Sequence, residues 1–227
     1  MCLMIWKVEM SIINAVKSLA VAAAASALLA GVASAVTVQN GSFEDVSGGV
    51  KTVNRGSWSV YDSIPGWTMM GGNGIEVQTN ATLRSIDAQD GNRYVELDSH
   101  PRGASNSSMY QMVSLAEGSY YLSFFYSPRT NDAATNGIRY SIGDISREVT
   151  GPGAGVARGS WTEIVSKFSV SDTGPYMLLF SATGKADTFG GLIDNVSIAP
   201  VPLPAAAWML LAGVGGLALM RRRSRTT

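Results

Sequence analysis

Between residues 36 and 200, apolar and polar positions alternate with a period of two, in short runs broken by Gly, Ser, Asn and Asp. In Gly74-Ile75-Glu76-Val77-Gln78, Ile75 and Val77 fall on one side and Glu76 and Gln78 on the other. Tyr94-Val95-Glu96-Leu97-Asp98 and Gly137-Ile138-Arg139-Tyr140-Ser141-Ile142 repeat the pattern. Ser119 to Tyr126 and Pro175 to Phe180 are apolar at successive positions, which predicts central strands covered on both faces. Turn signals stand between these runs at Asp90-Gly91-Asn92, Asn136-Gly137, Gly151-Pro152-Gly153 and Gly190-Gly191. No segment sustains a helical period and no internal repeat is present. The pattern therefore predicts an all-β fold: a single antiparallel β-sandwich of the jelly-roll type over 36–200.

The two ends follow other rules. Lys17, the apolar run Leu19 to Ala30 and the small residues Ala33-Ser34-Ala35 form a secretory signal over 1–35, with cleavage after Ala35 and Met10 as an alternative start. At the other end, Val201-Pro202-Leu203-Pro204-Ala205 leads into an uncharged apolar run, 205–220. As a helix this run would be about 24 Å long at ~1.5 Å per residue, slightly short for a bilayer core. Arg221, Arg222, Arg223 and Arg225 follow and predict a cytoplasmic stub. The fold is thus expected to be flanked by an N-terminal signal helix and a C-terminal transmembrane helix.

The order of motif, apolar helix and Arg cluster over 201–227 resembles a PEP-CTERM sorting signal of the VPLPA variety. The resemblance implies an exported envelope protein recognised by an exosortase-type processing protease and cut near Pro204. It also implies association with exopolysaccharide and biofilm matrix. A plain tail anchor is the alternative reading of the same segment.

Composition changes the picture in one respect. The 227 residues carry 17 Lys+Arg and 17 Asp+Glu, a net charge of zero, yet residues 36–203 hold 11 basic and 16 acidic groups. The acidic domain lacks the basic footprint of a nucleic-acid binder. The one Cys, Cys2, lies in the signal segment, so the mature chain has no disulfide framework, and a lone His excludes His-clustered metal centres.

Asn40-Gly41-Ser42-Phe43-Glu44, Ile64-Pro65-Gly66-Trp67, Asp90 to Asp98 and Leu192-Ile193-Asp194-Asn195-Val196-Ser197-Ile198, in this order, resemble the galactose-binding-like jelly rolls, including DUF642-type domains. The resemblance implies carbohydrate binding. It also implies a structural calcium (Ca2+) between the first and last strands, with Glu44 and Asp194 at the matching positions. On a two-residue period Asp194 shares a face with Leu192, Val196 and Ile198 and points into the sandwich. Its carboxylate then needs either backbone N–H donors or a hard cation.

Trp58, Tyr61, Trp67 and Trp161 are the aromatic candidates for sugar stacking. The resemblance assigns Trp67 to the core, and a polar setting makes Trp58 and Tyr61 the platform candidates. Enzyme chemistry is not expected. Glu96 and Asp98 share a strand face and read as solvated surface, while Ser99 and His100 are adjacent and point apart. The expected function is an exosortase-sorted envelope or matrix protein that binds polysaccharide. The alternative is an adhesive surface protein without a sugar site, retained as a tail-anchored membrane protein.

Overall fold

The computed structural model describes residues 38–100, 106–151 and 158–202. The signal segment with Ala33 and Ala35, the motif residues Leu203, Pro204 and Ala205, the apolar run and the four arginines lie outside the described residues. Among the described residues no helix is long and apolar enough to cross a membrane.

Twelve strands carry the fold: β1 (Val50–Asn54), β2 (Trp58–Ile64), β3 (Trp67–Gly71), β4 (Ile75–Thr79), β5 (Arg93–Glu96), β6 (Ser108–Leu115), β7 (Gly118–Pro128), β8 (Gly137–Ile142), β9 (Ile145–Val149), β10 (Thr162–Val170), β11 (Gly174–Thr183) and β12 (Gly191–Pro200). Among the described residues one short helix, α1 (Asn80–Leu83), interrupts them. The hydrogen-bonded order is β10-β7-β12-β5-β4-β2-β3-β6-β11-β8-β9, with β1 on β2, and all pairs are antiparallel.

The path turns at β2. Its first half, Trp58 to Tyr61, pairs with β4, whereas Ser63 and Ile64 pair with β3. Changing partners in mid-strand lets the sheet fold back on itself, and the interior shows that it does. Phe124 of β7 meets Phe180 of β11 at 5.1 Å and Tyr140 of β8 at 4.9 Å between ring centroids, although these strands are far apart in the order. Such edge-to-face contacts and the excluded water hold the two layers together. The result is an antiparallel β-sandwich, as the alternating pattern predicts.

Two expectations need correction. Strands β7 and β11 are covered on one face only: Tyr121 and Met177 are each 39% exposed, while Leu122, Phe124, Leu178 and Phe180 are fully buried. Their outward apolar residues are therefore surface, because no second layer lies over them. The reverse holds at β4 and β5, where Glu76, Gln78 and Glu96 are as buried as the apolar residues between them.

Candidate ligand-binding face

Residues paired across antiparallel strands point to the same side of a sheet. Two adjacent rows therefore define the outer face of one layer. Trp58, Gln78 and Tyr94 form the first, and Val60, Glu76, Glu96, Leu192 and Ser127 form the second. Sequence reading set Glu96 beside Asp98 as surface; the register instead places it opposite Glu76, with both carboxylates buried.

The two glutamates are bridged. Gln78 Nε2 donates to Glu76 Oε1 at 2.7 Å and, at shorter range, to Glu96 Oε2. Arg129 Nη1 donates to both oxygens of Glu96 at 2.6 and 2.5 Å and to the Thr188 carbonyl at 2.8 Å. Gly190 N–H adds 2.7 Å to Glu96 Oε1, and His100 N–H adds 2.9 Å to Glu76 Oε2. Asp187 N–H donates to Asp98 Oδ2, so the segment from Asp187 to Gly190 is fastened across this corner. Burial pushes the Glu96 carboxyl up to about 8 even with the guanidinium beside it, and burial raises Glu76 as well.

Among the described residues, three side-chain atoms on this face are buried without a partner: Gln78 Oε1, Tyr94 Oη and Ser127 Oγ. All three belong to the two rows. Buried polar atoms are almost always satisfied, so such a group on one face marks a place where polar partners are missing.

Rings stand around the rows. Trp58 is partly exposed, with its ring edge-on to exposed His100 at 5.8 Å. Trp161 is also partly exposed; it lies edge-on to Tyr94 at 5.9 Å, and its Nε1–H donates to the Asp87 carbonyl at 2.7 Å. Phe189 is 45% exposed beneath the Arg129 guanidinium, 4.9 Å from ring centroid to Cζ.

Tyr61 does not belong to this group. It lies within β2 rather than in a polar loop, faces the interior opposite Ile75, and is 4% exposed. Trp67 is core, 1% exposed against Phe43 and Phe180, in line with the resemblance. Ser99 is buried with its hydroxyl on the Gly74 carbonyl, so it forms no pair with the His100 ring.

Glu44 and Asp194 serve one loop from two sides. Glu44 Oε1 accepts from the N–H groups of Asn92 and Arg93 at 2.7 and 2.6 Å. Asp194 Oδ2 accepts from Gln89 and Asp90 at 2.8 and 3.0 Å, and Oδ1 from Asn195 at 2.7 Å. Gly91 turns between them at φ +71°; a Cβ there would come within 2.6 Å of Glu44 Oε1, so both its backbone and its space require glycine. Burial drives the Asp194 carboxyl up to about 7 against these three donors.

As arranged, the pair does not fit a calcium ion. Its oxygens are turned to N–H groups, which cannot ligate a cation, and among the described residues no group of three or more His, Cys, Asp and Glu gathers to hold a metal. Asp194 also faces a different way from the two-residue period. A bulge between Asp194 and Ser197, with Asn195 at φ +49°, flips the alternation. Asp194 and Leu192 therefore lie on the outer side with Tyr94, while Val196 and Ile198 enter the main core.

No protein-family profile and no curated protein matches the chain. Among solved structures it is similar to a cyclase from Fischerella sp. TAU, with 14% identity over 75% of this chain and 98% of that one, at a TM-score of 0.52. It is also similar to TmCBM61 in complex with β-1,4-galactotriose (18% identity, 74% and 100% coverage, TM-score 0.46). A native family 35 carbohydrate binding module from Clostridium thermocellum follows at 17% identity, 60% and 92% coverage and TM-score 0.37. At such identities the likeness concerns the fold alone, an antiparallel sandwich.

Proposed function

We propose that this is an exported, exosortase-sorted envelope or matrix protein whose sandwich, of the galactose-binding-like jelly-roll kind, binds carbohydrate through the outer face of β2, β4 and β5. The observation that carries the reading is the set of three unpartnered buried polar atoms on one face, ringed by partly exposed Trp58 and Trp161 and by Phe189. Ring faces and edges cover the C–H surface of a sugar, and unsatisfied acceptors and hydroxyls take up its polar groups. A glycan array probed with the exported domain and with Trp58→Ala should show binding to a subset of glycans and about tenfold weaker binding by the variant, the loss of about 1.4 kcal/mol. Absence of any bound glycan would reject the carbohydrate reading.

Sorting is supported by residues alone. Strand β12 ends at Pro200, Val201 N–H is still bonded to the Ser119 carbonyl at 2.9 Å, and Pro202 is exposed. The motif thus begins where β12 ends, and exposed Pro202 favours an extended backbone at the residue before it, the form a protease takes up. Intact-mass analysis of exported protein is expected to find a C-terminus near Pro204; a chain ending at Thr227 would instead indicate the tail-anchored alternative.

A second reading is favoured by the opposite layer. Met112 and Met177 face each other across β6 and β11 at 50% and 39% exposure, and Met70 of β3 is 55% exposed. A methionine surface suits adaptable apolar contact, and protein adhesion without a sugar site would use it while leaving the array blank.

A further inference from the structure

What the Glu76–Glu96 corner lacks, among the described residues, is hydrogen-bond donors. Two buried carboxylates face each other across β4 and β5, and the Arg129 guanidinium hydrogen-bonds only Glu96, its charge acting on Glu76 from a distance. The donors brought to the pair are already committed: both hydrogens of the Gln78 amide to the two glutamates, Gly190 N–H to Glu96, and His100 N–H to Glu76. Because that amide nitrogen is held between the carboxylates, the orientation of Gln78 is set, and Oε1 is left as a buried acceptor with no donor. Gln78 is 0% exposed, and so is Tyr94 directly opposite it, whose hydroxyl is also unpartnered. A ligand hydroxyl supplies one donor and no charge. An ammonium supplies three donors, no acceptor and a full positive charge.

From this juxtaposition we infer that the face recognises a glycan bearing a free amine, with the ammonium of an amino sugar received by Glu76, Gln78 Oε1 and Tyr94 Oη. The inference rests on the carbohydrate reading and narrows it. The approach is along the edge where Glu76 meets exposed His100, with half-buried Trp58 alongside to cover the sugar ring. Arg129 stays on Glu96, so Glu76 is the carboxylate left for the incoming charge.

The test is calorimetric titration of the exported domain with a β-1,4-glucosamine oligomer, the matched N-acetylated oligomer, and poly-lysine of similar charge. The amine-bearing oligomer is expected to bind at least about tenfold tighter than its N-acetylated counterpart. Glu76→Gln should remove that preference. Tyr94→Phe deletes a hydroxyl that has no partner among the described residues, so it should leave the melting temperature unchanged or raised and lower the amine-glycan affinity several-fold. Tyr94→Phe thus keeps the test valid should Glu76→Gln fold poorly. Equal or tighter binding of the N-acetylated oligomer overturns the inference and leaves the carbohydrate reading standing. Equal binding of poly-lysine, or unchanged preference in the variants, overturns it as well. If neither oligomer nor any array glycan binds, the carbohydrate reading falls first and takes the inference with it.

Discussion

Arg129→Met is expected to destabilise the sandwich by about 3–5 kcal/mol near pH 8, because it strips the guanidinium hydrogen-bonded to a fully buried carboxylate. For a domain of this size that is a drop of about 10 °C in melting temperature. The guanidinium makes both of its Glu96 contacts and the Thr188 contact through Nη1, so one truncation loses three hydrogen bonds and the cover of the Phe189 ring. The loss depends on pH in a determined direction. Glu96 has its carboxyl raised from the ordinary 4.5 to about 8 in the fold. The stability linked to its retained proton is fully present below about 4.5 and is lost as pH rises through about 8. Removing Arg129 pushes that carboxyl higher still, so the variant should approach the wild type at pH 5 and fall furthest behind above pH 8. The double variant Arg129→Met/Glu96→Gln should recover most of the loss at pH 8, since no unpaired charge remains. Urea titrations at both pH values check this; a pH-independent deficit would show that packing, rather than charge, is what Arg129 supplies.

Trp67→Ala is expected to cost about 3–5 kcal/mol, the range for deleting a large buried aromatic. The ring is 1% exposed, tilted against Phe43 at 5.5 Å and Phe180 at 5.9 Å, and its Nε1–H donates to the Asn40 carbonyl at 3.1 Å. It therefore clips the opening segment, Gln39 to Asp45, onto the interior. Asn40 continues the clip with Nδ2 bonds to the carbonyls of Asp45 and Pro65. Hydrogen exchange in residues 40–45 should speed up in Trp67→Ala more than exchange in β7. Trp67→Phe keeps a ring but removes one of the two donors on the Asn40 carbonyl, leaving the Phe43 N–H, for about 1 kcal/mol. Loss of glycan binding in Trp67→Ala at unchanged stability would mean the ring is a platform after all.

The layout of strands was legible because alternation is a local property: a side chain two residues on faces the same way whatever lies across the sheet. The core role of Trp67 and the burial of Asp194 followed from the resemblance and the period. The direction of Asp194 did not, because a single bulge at Asn195 shifts every later side chain to the other face, and nothing in the local run announces it. Tyr61 misled for a related reason: its polar neighbours Ser59, Asp62 and Ser63 suggested a loop, whereas all three lie within strand β2.

By itself, then, the sequence determined the all-β class, the acidic cysteine-free domain, and the motif order of its two ends, each of which depends on residues close together in the chain. Only the tertiary structure decided the candidate site. Glu76, Gln78 and Glu96 meet because of the register between β4 and β5, and Arg129 and Gly190 reach them from segments far along the chain. Register and crossing segments are set by which faces can be buried together, a property of the whole sandwich that no single run of residues contains.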